Sequence, residues 1–193
     1  MQTKKERLAM ENDDELTPEQ IEDLKYWEVR LRFAGYSVRL VDRAEIASQS
    51  SDKKGLAFIA HDEGVYHGDL FLRDARSIYL PDNLRVEGEL DLIETGIKSL
   101  PENLKVLGDA FFALTYISYL PKTLSVTGDV WLSMMRVPLT IPDGFVFNAN
   151  LYANSAKIKW GHDVVVMGNL YVDRDDVVPE WVDVRGDVVR SEW

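Results

Sequence analysis

Cysteine is missing from this chain, which removes disulfide staples, thiolate metal ligands and cysteine nucleophiles together. Histidine is scarce. His61, His67 and His162 are the only three, and none pairs with another at a metal-ligand spacing or completes a serine–histidine–aspartate order. Neither a GxGxxG fingerprint nor a P-loop is present. These absences predict a protein without catalysis, without a cofactor and without a bound metal. Long apolar runs are lacking too. No stretch reaches the roughly 18 residues that a membrane-spanning helix needs. The segment from Met1 to Leu16 is charged and holds no apolar core, so no secretory signal is expected and the protein is placed in the cytoplasm.

Basic charge is in short supply. Lysine and arginine number 22 against 33 acidic residues, for a net charge of -11. Such a surface repels nucleic acid and anionic lipid, so neither is expected to bind directly. It favours a protein partner with a basic surface, including proteins that ordinarily hold nucleic acid. Hydrophobic residues make up 46% of the chain, as in folded proteins, so a sizeable core is expected.

Glycine is modest in number but regular in place. Gly68, Gly88, Gly108 and Gly128 fall at one fixed step, and Gly168 is in phase two steps later, with Ala149 in the intervening slot. Around them one sentence recurs: Leu84-x-Val86-x-Gly88-x-Leu90-x-Leu92-x-x-Thr95-x-Ile97-x-x-Leu100-Pro101, then Leu104-x-Val106-x-Gly108-x-Ala110-x-Phe112-x-x-Thr115-x-Ile117-x-x-Leu120-Pro121. A constant step of this size predicts a stack of like coils. Alternation points Val86, Gly88, Leu90 and Leu92 inward. Leu80-Pro81, Leu100-Pro101 and Leu120-Pro121 mark a repeated corner; Ile141-Pro142 arrives one position late. Leu151 then stands where Val130 stood, and a correspondingly shorter step to Leu170 restores the phase. One coil therefore carries an extra residue.

Residues 1–63 lack the repeat and are expected to cap the open end of the stack, whose terminal coil would otherwise expose apolar edges. Thr17-Pro18-Glu19-Gln20 is a helix-start signal, and Ile21, Leu24, Trp27 and Leu31 continue it as an amphipathic helix over about 17–34. Strands are expected at 36–41 and 56–60. The fold class that follows is α+β: a short β-solenoid of about six coils over 64–193 behind a mixed helical cap.

The pattern Leu-Pro-x-x-Leu-x-Val-x-Gly-x-Leu-x-Leu-x-x-Thr-x-Ile-x-x-Leu-Pro resembles the leucine-rich repeats with short, bacterial-type units of about 20 residues. It resembles still more the Gly-Asp-Leu-containing variants of phage and bacterial repeat proteins. The resemblance covers roughly 65–190 and implies non-catalytic protein recognition on a strand-bearing face. It departs where that family carries an asparagine ladder: Thr95, Thr115, Met135 and Ser155 stand in that slot here. A parallel β-solenoid of another type is the close alternative.

Stacking converts sequence positions into surface columns. One column reads Asp69, Glu89, Asp109, Asp129, Asn150, Asn169; its neighbour reads Phe71, Asp91, Phe111, Trp131, Tyr152, Tyr171. Adjacent carboxylates about 4.8 Å apart repel by roughly 0.9 kcal/mol per pair in water. The acidic column is either a solvated, duplicated position or a docking strip for lysine and arginine. Aromatic neighbours favour docking, since tryptophan and tyrosine anchor many interfaces, although they also stack across strands without a partner. The expected protein-binding residues are Asp69, Phe71, Glu89, Asp91, Asp109, Phe111, Asp129, Trp131, Tyr152 and Tyr171. The expected role is that of a protein-binding module, such as a phage- or mobile-element-encoded inhibitor. A second acidic zone comprises Asp173, Asp175, Asp176, Glu180, Asp183 and Asp187. Together the two zones suggest the alternative of an acidic nucleic-acid mimic that decoys a DNA- or RNA-binding effector.

Overall fold

The structure is a computed structural model that describes residues 38–42, 54–58, 64–75 and 78–191. Each repeat folds the same way for local reasons. Valine and leucine at alternate positions make short strands, such as Arg85–Val86 and Leu90–Asp91, and Glu87-Gly88 bends the chain between them. A second bend follows at Glu94, which lies at φ 61°, and its counterparts Asp74, Leu114, Met134 and Ser155 share that left-handed backbone. A third lies past the Leu-Pro corner, at Asn83 and Asn103. Asparagine tolerates this conformation well; leucine and methionine do not.

Three bends per repeat close the chain into a coil, and successive coils pair in parallel. Leu70 pairs with Leu90, Leu90 with Ala110, and Ala110 with Val130. Val130 then pairs with Leu151, which absorbs the extra residue, and Leu151 with Leu170, which pairs with Val188. The result is a seven-stranded parallel sheet running from Leu70–Phe71 to Val188–Ser191. Across the glycine bend lie a four-stranded sheet that ends at Ser125–Val126 and a three-stranded one that starts at Val146–Phe147. The longer coil separates them. On the third side Leu139–Thr140 pairs with Ile158–Lys159. This is a β-solenoid of about six turns, with every coil-to-coil pairing parallel.

The interior is filled by the positions that alternation assigned to it. Leu84, Val86, Leu90, Leu92, Leu104, Phe112, Leu132 and Leu151 are all fully buried. At Gly88, Gly108, Gly128, Gly168 and Gly186 glycine serves close approach rather than a special backbone angle. A Cβ on Gly108 would lie 2.8 Å from the carbonyl carbon and oxygen of Gly88, while the Gly108 N–H donates to that same oxygen at 2.9 Å. Only a hydrogen fits there.

Val38–Asp42 runs antiparallel to Lys54–Phe58, which pairs in parallel with Ile78–Tyr79 and so extends the third side at its N-terminal end. These strands fall close to those expected at 36–41 and 56–60. The helix expected over about 17–34 lies outside the described residues. Within the described residues there is no helix, so the architecture they define is all-β, and no helix there is long and apolar enough to cross a membrane. One slot needs correcting. The extra residue moves Ser155 onto the left-handed bend and leaves Ala156, not Ser155, buried where Thr115 and Met135 stand in earlier coils.

Candidate protein-binding face

The acidic column lies at the edge of the seven-stranded sheet, immediately after the glycine bend. Its carboxylates are tied to the next coil. Asp69 Oδ1 accepts the Glu89 N–H at 2.9 Å, and Asp109 Oδ1 accepts the Asp129 N–H at 2.8 Å. The series continues with Asp129 Oδ1 to the Asn150 N–H, Asn150 Oδ1 to the Asn169 N–H and Asn169 Oδ1 to the Asp187 N–H. Glu89, one methylene longer, forms no such bond among the described residues. A short side chain ending in a planar oxygen is what the geometry selects, which explains why Asn150 and Asn169 continue a column of aspartates. Charge is thus not the feature the column shares; the acceptor is.

The neighbouring column is a stack of rings. Phe111 and Trp131 have centroids 5.8 Å apart, Trp131 and Tyr152 3.7 Å, and Tyr152 and Tyr171 4.4 Å, the last two pairs within 5° of parallel. Ring faces therefore point along the stack and ring edges meet solvent. All four residues are half-buried, whereas Phe71 beyond the break is 51% exposed. Trp131 Nε1 is shielded in this stack and has no hydrogen-bond partner among the described residues. Burial, then the charge of Asp129, then Tyr171 push the Tyr152 hydroxyl above its ordinary value.

Asp91 interrupts the aromatic column for a reason the sequence did not show. It is buried, and its carboxylate takes Arg73 Nε at 3.1 Å and Nη2 at 3.0 Å on one oxygen and the Ile93 N–H on the other. Both oxygens serve the fold, and Arg73 joins the site. The two residues belong to adjacent coils, so only the stacking brings them together. Among the described residues, Glu89, Asp109 and Asp129 form no ion pair. The structure thus brings together Phe111, Trp131, Tyr152 and Tyr171 beside Glu89, Asp109 and Asp129, and sets Asp91 and Phe71 apart from them.

The C-terminal acidic zone is likewise engaged with the chain. Asp173 accepts the Ser155 N–H at 2.8 Å and the Ser155 hydroxyl at 3.2 Å, Asp176 accepts the Asp173 N–H, and Asp183 pairs with Arg185 at 2.7 Å. No group of three or more potential ligands among the described residues is placed to hold a metal ion.

Coil, ladder and stack together define a parallel β-solenoid with an aspartate–asparagine ladder and an aromatic ladder on adjoining columns. Comparison with known protein families, curated proteins and solved structures finds no match to this chain.

Proposed function

We propose that the chain is a non-catalytic protein-binding module of the leucine-rich-repeat kind, acting as an inhibitor through the outer face of its seven-stranded sheet. The observation that carries this reading is a juxtaposition. Carboxylates on Glu89, Asp109 and Asp129, without a cationic partner among the described residues, lie beside a half-exposed aromatic stripe that spans four coils. A basic partner would supply lysine or arginine to those carboxylates, and arginine also packs well on aromatic edges and faces. The rigid ladder keeps the strip in register, so little ordering accompanies binding.

The ladder suggests the test. Asp109→Asn and Asp129→Asn keep the Oδ1 acceptor for the next coil's N–H, the latter losing only the 3.2 Å bond from Asn150 Nδ2, and Glu89→Gln changes nothing the fold uses. This triple variant should fold as the parent does and should lose partners that the parent captures from cell extract. An unchanged set of captured proteins would reject the face. Capture that nucleic acid competes away, with a steep salt dependence, would point to the acidic-decoy alternative.

A further inference from the structure

Two core slots shrink in the same coil. The column that carries Leu92, Phe112 and Leu132 reaches Ala153, and the column that carries Thr115 and Met135 reaches Ala156. A leucine and a methionine are thus both replaced by methyls in one layer. The coil that follows does not settle into the space. Its turn after Asp173 is pinned by Arg190, which stands opposite Val172 and donates from Nη1 to the carbonyls of Asp173, Arg174 and Asp176, at 2.7 Å for the last. A cleft of about 250 Å³ remains between the two coils.

The floor of this cleft is apolar: Ala153, Ala156 and Val172 are buried, and the half-buried Ile158, Trp160 and Val178 stand around them. Its lining carries one charge of each sign, Lys157 from the upper coil and Asp176 from the last. Among the described residues these two form no ion pair with each other or with any third group. Asp176 is nonetheless fixed. One of its carboxylate oxygens accepts the Asp173 N–H at 3.1 Å, and its other oxygen takes no bond among the described residues.

We propose that this cleft binds a free aliphatic α-amino acid of leucine or methionine size, its side chain over Ala153 and Ala156, its carboxylate at Lys157 and its ammonium at Asp176. Volume sets the size. An apolar cavity of about 150 Å³ accommodates benzene, and on that ratio 250 Å³ suits about ten non-hydrogen atoms, the size of leucine or methionine. The paired charges set the head group. An acid alone would leave its carboxylate facing Asp176 and an amine alone would face Lys157, whereas a zwitterion meets an unlike charge at each. Enclosure by the last coil sets the length, because Asp176, Val177 and Val178 occupy the layer through which a longer chain would have to run. The pinned turn holds the site open before the ligand arrives, which lowers the cost of binding. The outer face of the seven-stranded sheet takes no part, so the site holds whether or not that face binds a protein.

The test titrates the full chain with L-leucine and follows the methyl signals of Ala153 and Ala156 and the indole signal of Trp160 by NMR. All three should shift and saturate in the millimolar range. Alanine, isocaproate (leucine without its amine) and isoamylamine (leucine without its carboxylate) should each bind about tenfold or more weakly, having lost the apolar contact or one charged contact. Lys157→Gln, at an exposed position, should erase the advantage of leucine over isoamylamine. Asp176→Asn keeps an oxygen for the Asp173 N–H and should erase the advantage over isocaproate. Ala153→Leu restores the side chain that the preceding coil carries at this slot and should abolish binding without loss of fold. Absence of any shift at saturating leucine would overturn the proposal. So would isocaproate or isoamylamine binding as tightly as leucine, which would mean an apolar pocket indifferent to the head group. Equal binding of N-acetyl-leucine amide would overturn it as well, because the occupant would then be a peptide.

Discussion

A hydrogen atom is all that the neighbouring coil leaves room for at Gly108. Gly108→Ala should therefore destabilise the chain by about 2–3 kcal/mol, since the obstruction is backbone and cannot swing aside. Gly68 is the internal control: its φ is +98° and a Cβ there meets nothing, so Gly68→Ala should cost only about 1 kcal/mol of backbone strain. Denaturant unfolding of the two variants decides, and equal losses would refute the close-approach argument. At Asp109 the same logic separates shape from charge. Asp109→Asn should unfold within about 0.5 kcal/mol of the parent, whereas Asp109→Ala should lose about 1 kcal/mol with the bond to Asp129. His67 and Glu87 offer a pH test. The hydrogen bond from His67 Nδ1 to Glu87 at 2.7 Å is the first cause that holds the Glu87 carboxyl below its ordinary 4.5. A lowered carboxyl favours the folded state above that ordinary value, and the benefit fades as pH falls through the lowered one. In His67→Ala the Glu87 titration followed by NMR should move up; a titration that stays put would exclude the histidine as cause.

Among the elements, the aromatic ladder is the one whose adjacency was readable in advance and whose orientation was not. The constant repeat step puts Phe111, Trp131, Tyr152 and Tyr171 on one column, but it says nothing about whether rings lie flat on the sheet or stand edge-on. Stacking decides that, because parallel strands sit about 4.8 Å apart, close to the spacing that offset aromatic rings prefer. Tyr152 has a ring on each face, so Tyr152→Ala should destabilise by about 2 kcal/mol and collapse the near-ultraviolet circular dichroism of the stack. Tyr152→Phe should preserve both. It should also remove an alkaline sensitivity. The Tyr152 hydroxyl is raised above its ordinary 10.0, so its contribution is whole below the ordinary tyrosine value and is lost as pH climbs through the raised one. A phenylalanine variant that unfolds at the same alkaline pH as the parent would show that Tyr152 is not the group responsible. Asp91 teaches the opposite lesson. Its place in the column suggested exposure, yet its partner Arg73 belongs to the preceding coil and takes the carboxylate into the fold.

The whole molecule is held by contacts between adjacent coils; among the described residues, the links that skip a coil are the Asn154–Ser191 hydrogen bond across the last layers and the exposed Arg136–Glu94 ion pair at 3.8 Å. Unfolding should then begin at an end and travel inward. Amide exchange should be slowest for Ala110, Phe112 and Leu132, whose N–H groups donate to Asp129, Trp131 and Tyr152 in the middle of the stack, and faster for Leu170 and Arg174, which donate to the terminal coil. Uniform protection across these amides would mean a single cooperative unit instead. A pattern of repeating glycine, leucine and proline is enough to declare that like residues pile on like, because an inward-facing slot tolerates little else; even the extra residue before Leu151 announced itself as a shift in phase. The bonds of the aspartate–asparagine ladder and the pairing of Asp91 with Arg73 declared themselves only in three dimensions. Each depends on atoms from separate coils meeting within about 3 Å, a distance far finer than the residue-by-residue ruler that periodicity supplies.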